Sequence, residues 1–159
     1  MIQILDNKIP DMDKIYEELT TLPYYYGEVD QEDYYPTGMT TELSANNITY
    51  TSLKKFISNS EVLRDKTIIR SYVNLFVPKE NANYHVDGDE GTTLLYYANL
   101  DYDINEGGET KFVTENNTLT SVLPLPGRIV IFPAVLKHTA SSFKNKHRFT
   151  VAFKFKENI

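Results

Sequence analysis

The spacing of apolar residues changes character near residue 66. Before it, two stretches follow a helical period. Met12, Ile15, Tyr16, Leu19 and Leu22 fall on one face of a helix predicted over Asp11 to Leu22. Asp11 and Asp13 supply the negative charge that a helix N-terminus favours, and Pro23 stops the run. Leu53, Phe56 and Ile57 mark a second helix from about Tyr50 to Asn59. Residues 1 to 5 can form a short strand. The stretch 23 to 47 has no such period. It runs through Tyr24-Tyr25-Tyr26-Gly27, the acidic Glu28, Asp30, Glu32 and Asp33, and Tyr34-Tyr35-Pro36-Thr37-Gly38. That composition reads as a solvated loop, or as a lid over a binding site.

From Lys66 onward the period is two. Ile69, Ser71, Val73, Leu75 and Val77 alternate with Arg70, Tyr72, Asn74 and Phe76, and Pro78 ends the run. Further strands are expected at Tyr84 to Asp87, Thr92 to Leu100, Thr110 to Thr114, Thr118 to Leu123, Arg128 to Phe132 and His147 to Phe155. Asp87-Gly88, Asn105-Glu106-Gly107-Gly108, Asn116-Asn117 and Pro126-Gly127 punctuate them. Short strands at fairly even spacing indicate a β-sandwich or barrel behind two helices. The expected organisation is a single domain over 1–159, with a helical and loop flank (1–65) and a β core (66–156).

Two of the strands have mixed faces. In the last, Phe149, Val151, Phe153 and Phe155 form an apolar row, opposite Arg148, Thr150, Ala152 and Lys154. If the apolar row packs under the helices, the polar row looks into the barrel, where an arginine is costly without an anionic partner. The alternative is an edge strand with a wet face. In Thr92 to Leu100, Leu95, Tyr97 and Asn99 oppose Leu94, Tyr96 and Ala98, so one of two adjacent tyrosines faces the interior and its hydroxyl needs a partner.

Composition narrows the chemistry. The chain has 159 residues, enough for one well-packed core. It has no Cys, which excludes disulfides, iron–sulfur clusters and thiolate zinc sites. Any metal must sit on His, Asp or Glu, which favours iron, manganese or a His-rich zinc site. The formal net charge of −6 disfavours a phosphate backbone as partner. The N-terminus lacks a basic, apolar leader pattern and no stretch is long enough for a membrane span, so a cytoplasmic protein is expected.

The candidate metal ligands start from His85-Val86-Asp87. On extended backbone, residues two apart point to the same side, so this imidazole and carboxylate can share one ion. A second histidine would complete the two-histidine, one-carboxylate set of non-haem Fe(II) oxygenases, which leaves one face of the metal open. His138 and His147 compete for that place. His147 points opposite to Arg148 on the last strand, so it is excluded if Arg148 faces the cavity.

Taken in order, His85-x-Asp87, Leu94-Leu95-Tyr96-Tyr97-Ala98-Asn99, Glu106-Gly107-Gly108-Glu109-Thr110, Pro126-Gly127-Arg128 to Phe132, His138 and Arg148 resemble the prolyl 4-hydroxylase-like branch of the 2-oxoglutarate- and Fe(II)-dependent dioxygenases. The resemblance covers roughly residues 66 to 156. It implies a double-stranded β-helix, or jelly roll, core with flanking N-terminal helices. It implies iron on His85, Asp87 and His138, and 2-oxoglutarate on Arg148 with help from Tyr97 and Tyr72, with ascorbate as reductant; Thr150, two residues after Arg148 on the same strand face, can add a hydroxyl to the same carboxylate. The implied reaction consumes O2, hydroxylates an unactivated C–H of a peptide, protein or small-molecule substrate (a prolyl residue being one candidate), and releases succinate and CO2. Two other readings remain: a nucleic-acid demethylase of the same superfamily, faintly suggested by the Arg148 and Lys154 spacing, and a non-enzymatic jelly-roll binding module. Residues 1 to 65 match no known motif, so the substrate is not specified.

Overall fold

The computed structural model describes residues 1–32 and 34–158. Asp33, part of the acidic tyrosine-rich stretch, lies outside them. The chain forms a double-stranded β-helix of two antiparallel sheets. The larger contains β1 (Gln3–Leu5), β2 (Tyr25–Tyr26), β3 (Met39–Glu42), β4 (Thr67–Phe76), β5 (Thr92–Tyr97), β8 (Ile129–Pro133) and β10 (Arg148–Lys156), in the order β1-β8-β5-β10-β4-β3-β2. The smaller contains β6 (Thr110–Val113), β7 (Leu119–Val122) and β9 (His138–Ala140), in the order β7-β6-β9.

Period-two alternation gives the larger sheet two different faces. Val73 and Leu75 of β4, Leu94 and Tyr96 of β5, Ile129 and Ile131 of β8, and Phe149, Val151, Phe153 and Phe155 of β10 all point outward into one buried cluster. Helices α1 (Met12–Thr21) and α2 (Ile48–Asn59) cover that cluster with Ile15, Leu19, Leu53 and Ile57. Each of these large side chains contributes about 2–5 kcal/mol by its burial and packing. The opposite face meets the smaller sheet. Tyr72, Leu95, Tyr97, Val130, Phe132 and Ala152 pack there against Phe112 and Val122. The apolar row of the last strand therefore lies under the helices, and its polar row faces the barrel interior.

Three features depart from the sequence pattern. The stretch 23–47 is not wholly a loop: β2 and β3 form a hairpin that extends the sheet beyond β4. Its register pairs Thr40 with Asn74 and Thr41 with Val73, a long-range match that local composition does not encode. Residues 84–87 are extended but, among the described residues, make a single bridge, between His85 and His138. His138 itself lies on a strand, β9, where the sequence suggests only a strand end. Among the described residues, no helix is long and apolar enough to cross a membrane.

The two helices are tied by one carboxylate. Glu18 of α1 accepts from the backbone N–H of Ile48 (3.0 Å) and of Thr49 (2.8 Å), from the Thr49 hydroxyl (2.6 Å) and from the Asn47 amide (3.3 Å). A side chain from one helix thus caps the other, satisfying free N–H groups and meeting its positive dipole end. Burial opposes the Glu18 charge, but the hydrogen bonds from Thr49, Ile48 and Asn47 outweigh it and hold its pKa below the ordinary 4.5. Glu18→Ala should lower the unfolding free energy by about 1–2 kcal/mol in urea titration at neutral pH. A lowered folded-state pKa contributes stability above the unfolded-state value, and loses it as pH falls through the folded value. The difference between parent and variant should therefore shrink as the titration is repeated at pH values progressively below 4.5.

Candidate metal centre

His85 and His138 are brought together by backbone pairing. The His85 N–H donates to the His138 carbonyl and the His138 N–H to the His85 carbonyl, both at 2.9 Å. Residues that exchange two such bonds lie directly opposite, with side chains on the same side. Their ring centroids are 4.5 Å apart. Asp87 follows two positions after His85 on extended chain, and its N–H donates to the Ala134 carbonyl at 2.8 Å. Its carboxylate therefore joins the same side. His85 Nε2 is 3.5 Å from Asp87 Oδ1, and His138 Nε2 is 3.6 Å from Asp87 Oδ2. One ligand atom from each of the three residues lies within 4.8 Å of the others.

The donor set fits a divalent ion. His85 Nδ1 lies 3.1 Å from the Asn83 carbonyl, and His138 Nδ1 lies 2.8 Å from the Leu136 carbonyl. A carbonyl can only accept, so each Nδ1 carries the proton and each Nε2 keeps a lone pair for a metal. Burial pushes the His138 imidazole down to about 4, against the pull of Asp87, so it is neutral near pH 7. Burial also opposes the charge on His85, but Asp87 and Asp30 outweigh it and shift that imidazole up. Asp87 is held well below the usual carboxylate range. Burial would raise it, and His85 and Lys154 overcome that. The site offers two imidazoles and one anion, which suits Fe(II), with no thiolate to divert it toward softer ions.

Both histidines and Asp87 line a cavity between the sheets, and Arg148 and Thr150 line the same cavity. Arg148 is 2% exposed. Its Nε donates to the Gly108 carbonyl (2.9 Å), one Nη to Thr150 (2.6 Å) and the other to Thr110 (3.2 Å). Three of its five N–H groups are thus used, and each terminal nitrogen keeps one. No carboxylate pairs with the guanidinium among the described residues. Burial lowers its pKa, and the more distant charges of Tyr97 and Glu109 offset that only in part. Gly108 makes this arrangement possible. Its φ is +81°, and a Cβ there would lie 2.3 Å from the Phe143 ring, so only glycine brings its carbonyl to the arginine.

The remaining candidates are placed as follows. Tyr72 lines the cavity, with the Arg70 guanidinium 4.0 Å above its ring. Tyr97 is buried behind the cavity wall. Its hydroxyl donates to Thr110 at 2.6 Å, and Thr110 in turn accepts from Arg148, so the hydroxyl meets the guanidinium through one intermediary while the ring faces it directly, with the guanidinium carbon 5.4 Å from the ring centroid. His147 is exposed and lies on a separate surface groove with Tyr16 and Phe149. Three groups near the candidate ligands were not expected there from the sequence. Lys154 forms an ion pair with Asp87 Oδ2, and Thr93 donates to the same oxygen at 2.6 Å. Their signal was present: Lys154 belongs to the Arg148–Thr150 row, and Thr93 to the Leu95–Tyr97 row. Asp30, 3.5 Å from His85 Nδ1, had none, because the acidic stretch carries no periodicity.

No family model and no curated protein sequence matches the chain. Solved structures do match its fold. A 2OG-Fe(II) oxygenase-family oxidoreductase from Burkholderia pseudomallei superposes with a TM-score of 0.75 at 12% identity, over 99% of this chain and 86% of that one. The viral collagen prolyl hydroxylase of Paramecium bursaria Chlorella virus-1, a 2OG complex, gives 0.72 at 15% identity, over 99% and 96%. A Trichoplax adhaerens prolyl hydroxylase bound to a hypoxia inducible factor peptide fragment gives 0.73 at 13% identity, over 98% and 83%. The chain thus shares the jelly-roll fold of prolyl hydroxylases and 2OG-Fe(II) oxygenases over nearly its whole length.

The ligand assignment is tested by anaerobic Fe(II) titration. His138→Ala and Asp87→Ala should each lose stoichiometric iron binding, and His147→Ala should keep it. Iron binding lost in His147→Ala but kept in His138→Ala would reverse the assignment.

Proposed function

We propose that the chain is an Fe(II)- and 2-oxoglutarate-dependent dioxygenase that hydroxylates an unactivated C–H of its substrate, a prolyl residue in a peptide being the first candidate. The observation that carries this reading is the buried Arg148 guanidinium, without a counter-ion, in the same cavity as His85, Asp87 and His138. A metal site alone does not require it. A dicarboxylate with one end at the metal and the other at Arg148 accounts for both.

Each residue has a definite task in this reading. His85, Asp87 and His138 hold the metal on one face. Arg148 grips the distal carboxylate through its two free N–H groups, and Thr150 and Thr110 fix the plane of the guanidinium. Tyr97 holds Thr110 in turn. Anchoring the far end of the co-substrate sets how its keto group approaches the metal. A metal held there would supply the oxidation: of the two atoms of O2, one would enter succinate as 2-oxoglutarate loses CO2 and the other would become the substrate hydroxyl, with ascorbate serving only to keep the iron ferrous. Glu28, Asp30, Thr37 and Thr40, all from the stretch 24–42, form part of the cavity wall and give that stretch a role in substrate contact. The peptide class rests on the fold shared with prolyl hydroxylases, one of which is seen with a peptide.

Succinate release from 2-oxoglutarate in the presence of Fe(II), ascorbate and O2, stimulated by Pro-containing peptides, is the direct test. Arg148→Met should raise the 2-oxoglutarate concentration needed for half-saturation more than tenfold while leaving iron content near the parent level. The loss corresponds to about 2–5 kcal/mol, much of it from leaving one charge unpaired. Arg148→Lys should fall between, since an ammonium lacks the planar fork. An anaerobic titration in which Arg148→Met binds 2-oxoglutarate as tightly as the parent would remove Arg148 from the co-substrate site.

A further inference from the structure

Lys154 has no role in the reading so far, and its position is costly. Its side chain is only 15% exposed, and burial pulls its pKa down. It also lies directly across from Arg70 in the β10–β4 register, a like-charge pairing that weakens a sheet. The two cations turn apart. Arg70 goes to Glu28 and Glu42 at the cavity mouth, and Lys154 goes inward to Asp87. A break in the β10–β4 register falls immediately after Lys154, where local twist re-aims side chains.

At Asp87 the two oxygens have different surroundings. Oδ2 takes the Lys154 ammonium and the Thr93 hydroxyl, at 2.6 Å from the latter. The ammonium is also 3.4 Å from the Thr93 oxygen, so the two donors support each other. Each oxygen lies near one imidazole, Oδ1 at 3.5 Å from His85 Nε2 and Oδ2 at 3.6 Å from His138 Nε2, so what distinguishes them is that the ammonium and the hydroxyl both fall on Oδ2. A carboxylate with one oxygen saturated by an ammonium and a hydroxyl has one oxygen left for a metal. A mere counter-ion for Asp87 would be redundant once a dication binds, whereas a group that occupies Oδ2 remains useful then.

We propose that Lys154 is a positioning residue that, together with Thr93, occupies Oδ2 of Asp87 and restricts the aspartate to ligation through Oδ1. The consequence is a count of open positions. With one atom each from His85, His138 and Asp87, an octahedral ion keeps three positions for exchangeable ligands. An aspartate free to use both oxygens would close one of them. In the dioxygenase reading, on which this inference builds, all three are needed for a bidentate keto acid and O2.

The test uses Mn(II) in place of iron and no co-substrate, so it is independent of 2-oxoglutarate binding. Water-proton relaxation of the Mn(II)-loaded protein reads the number of exchangeable waters on the ion. Lys154→Met should lower the relaxivity by about a third at equal metal occupancy, as three open positions become two. Thr93→Val should lower it by less, and Lys154→Arg, which keeps a donor to Oδ2, should match the parent. Circular dichroism checks that each variant is folded. Lys154→Met with parent-like relaxivity would overturn the proposal, as would loss of Mn(II) binding in both Lys154→Met and Thr93→Val, which would make these contacts simple supports. A parent that binds Mn(II) but never 2-oxoglutarate defeats the dioxygenase reading alone, and a parent that binds no divalent ion defeats both.

Discussion

Strand β10 is the constraint on which the rest depends. It lies inside the larger sheet, paired to β5 on one side and β4 on the other, so neither of its edges is free. Its alternation is strict. Phe149, Val151, Phe153 and Phe155 anchor the helix layer, and Arg148, Thr150 and Lys154 project between the sheets. A slip of one residue would send two cations into the apolar layer and four large apolar side chains into the cavity. Burial of the apolar row therefore holds the polar row in register, and stability and chemistry share one strand.

The cavity is organised by charges that would be unfavourable singly. Asp87 is buried but faces Lys154 and two imidazoles. Arg148 is buried and faces hydroxyls and a carbonyl, with no carboxylate among the described residues. The first arrangement is closed by ion pairing and the second is left open. A buried charge whose hydrogen bonds are only partly satisfied is the expected sign of a missing ligand of opposite sign. That asymmetry is what the proposed dicarboxylate site rests on.

The acidic stretch before β3 takes part in the same electrostatics. Glu28 holds Arg70 through both terminal guanidinium nitrogens, at 2.6 and 2.7 Å, and thereby keeps Arg70 away from Lys154. Asp30 sits over His85, and burial with the nearby Asp87 and Glu28 charges raises its pKa despite the pull of His85 and Lys154. These contacts tie a segment of irregular composition to the cavity wall, which Glu28, Asp30, Thr37 and Thr40 help to form.

Much of this was legible in the sequence because it follows from local rules. Period-two alternation in 148–155 and 92–97 determined which side chains share a face; that the Arg148 row looks into a cavity and not into water was decided by the place of β10 inside the sheet, with its apolar row under the helices. The i, i+2 spacing of His85 and Asp87 put both ligands on one side of extended chain. Helical spacing located α1 and α2 to within about two residues. What tertiary structure decided was every partnership between distant residues. The family resemblance already implied His138 and not His147, but the contact that brings His138 beside His85 rests on two backbone hydrogen bonds between residues 53 positions apart in the chain. The conversion of residues 39–42 into a strand depends on an exposed edge of β4, and the ion pair of Lys154 with Asp87 on a register set by β10. Periodicity reports which way a side chain faces. It carries no information about what waits on the other side, because long-range pairing is set by the packing of whole sheets.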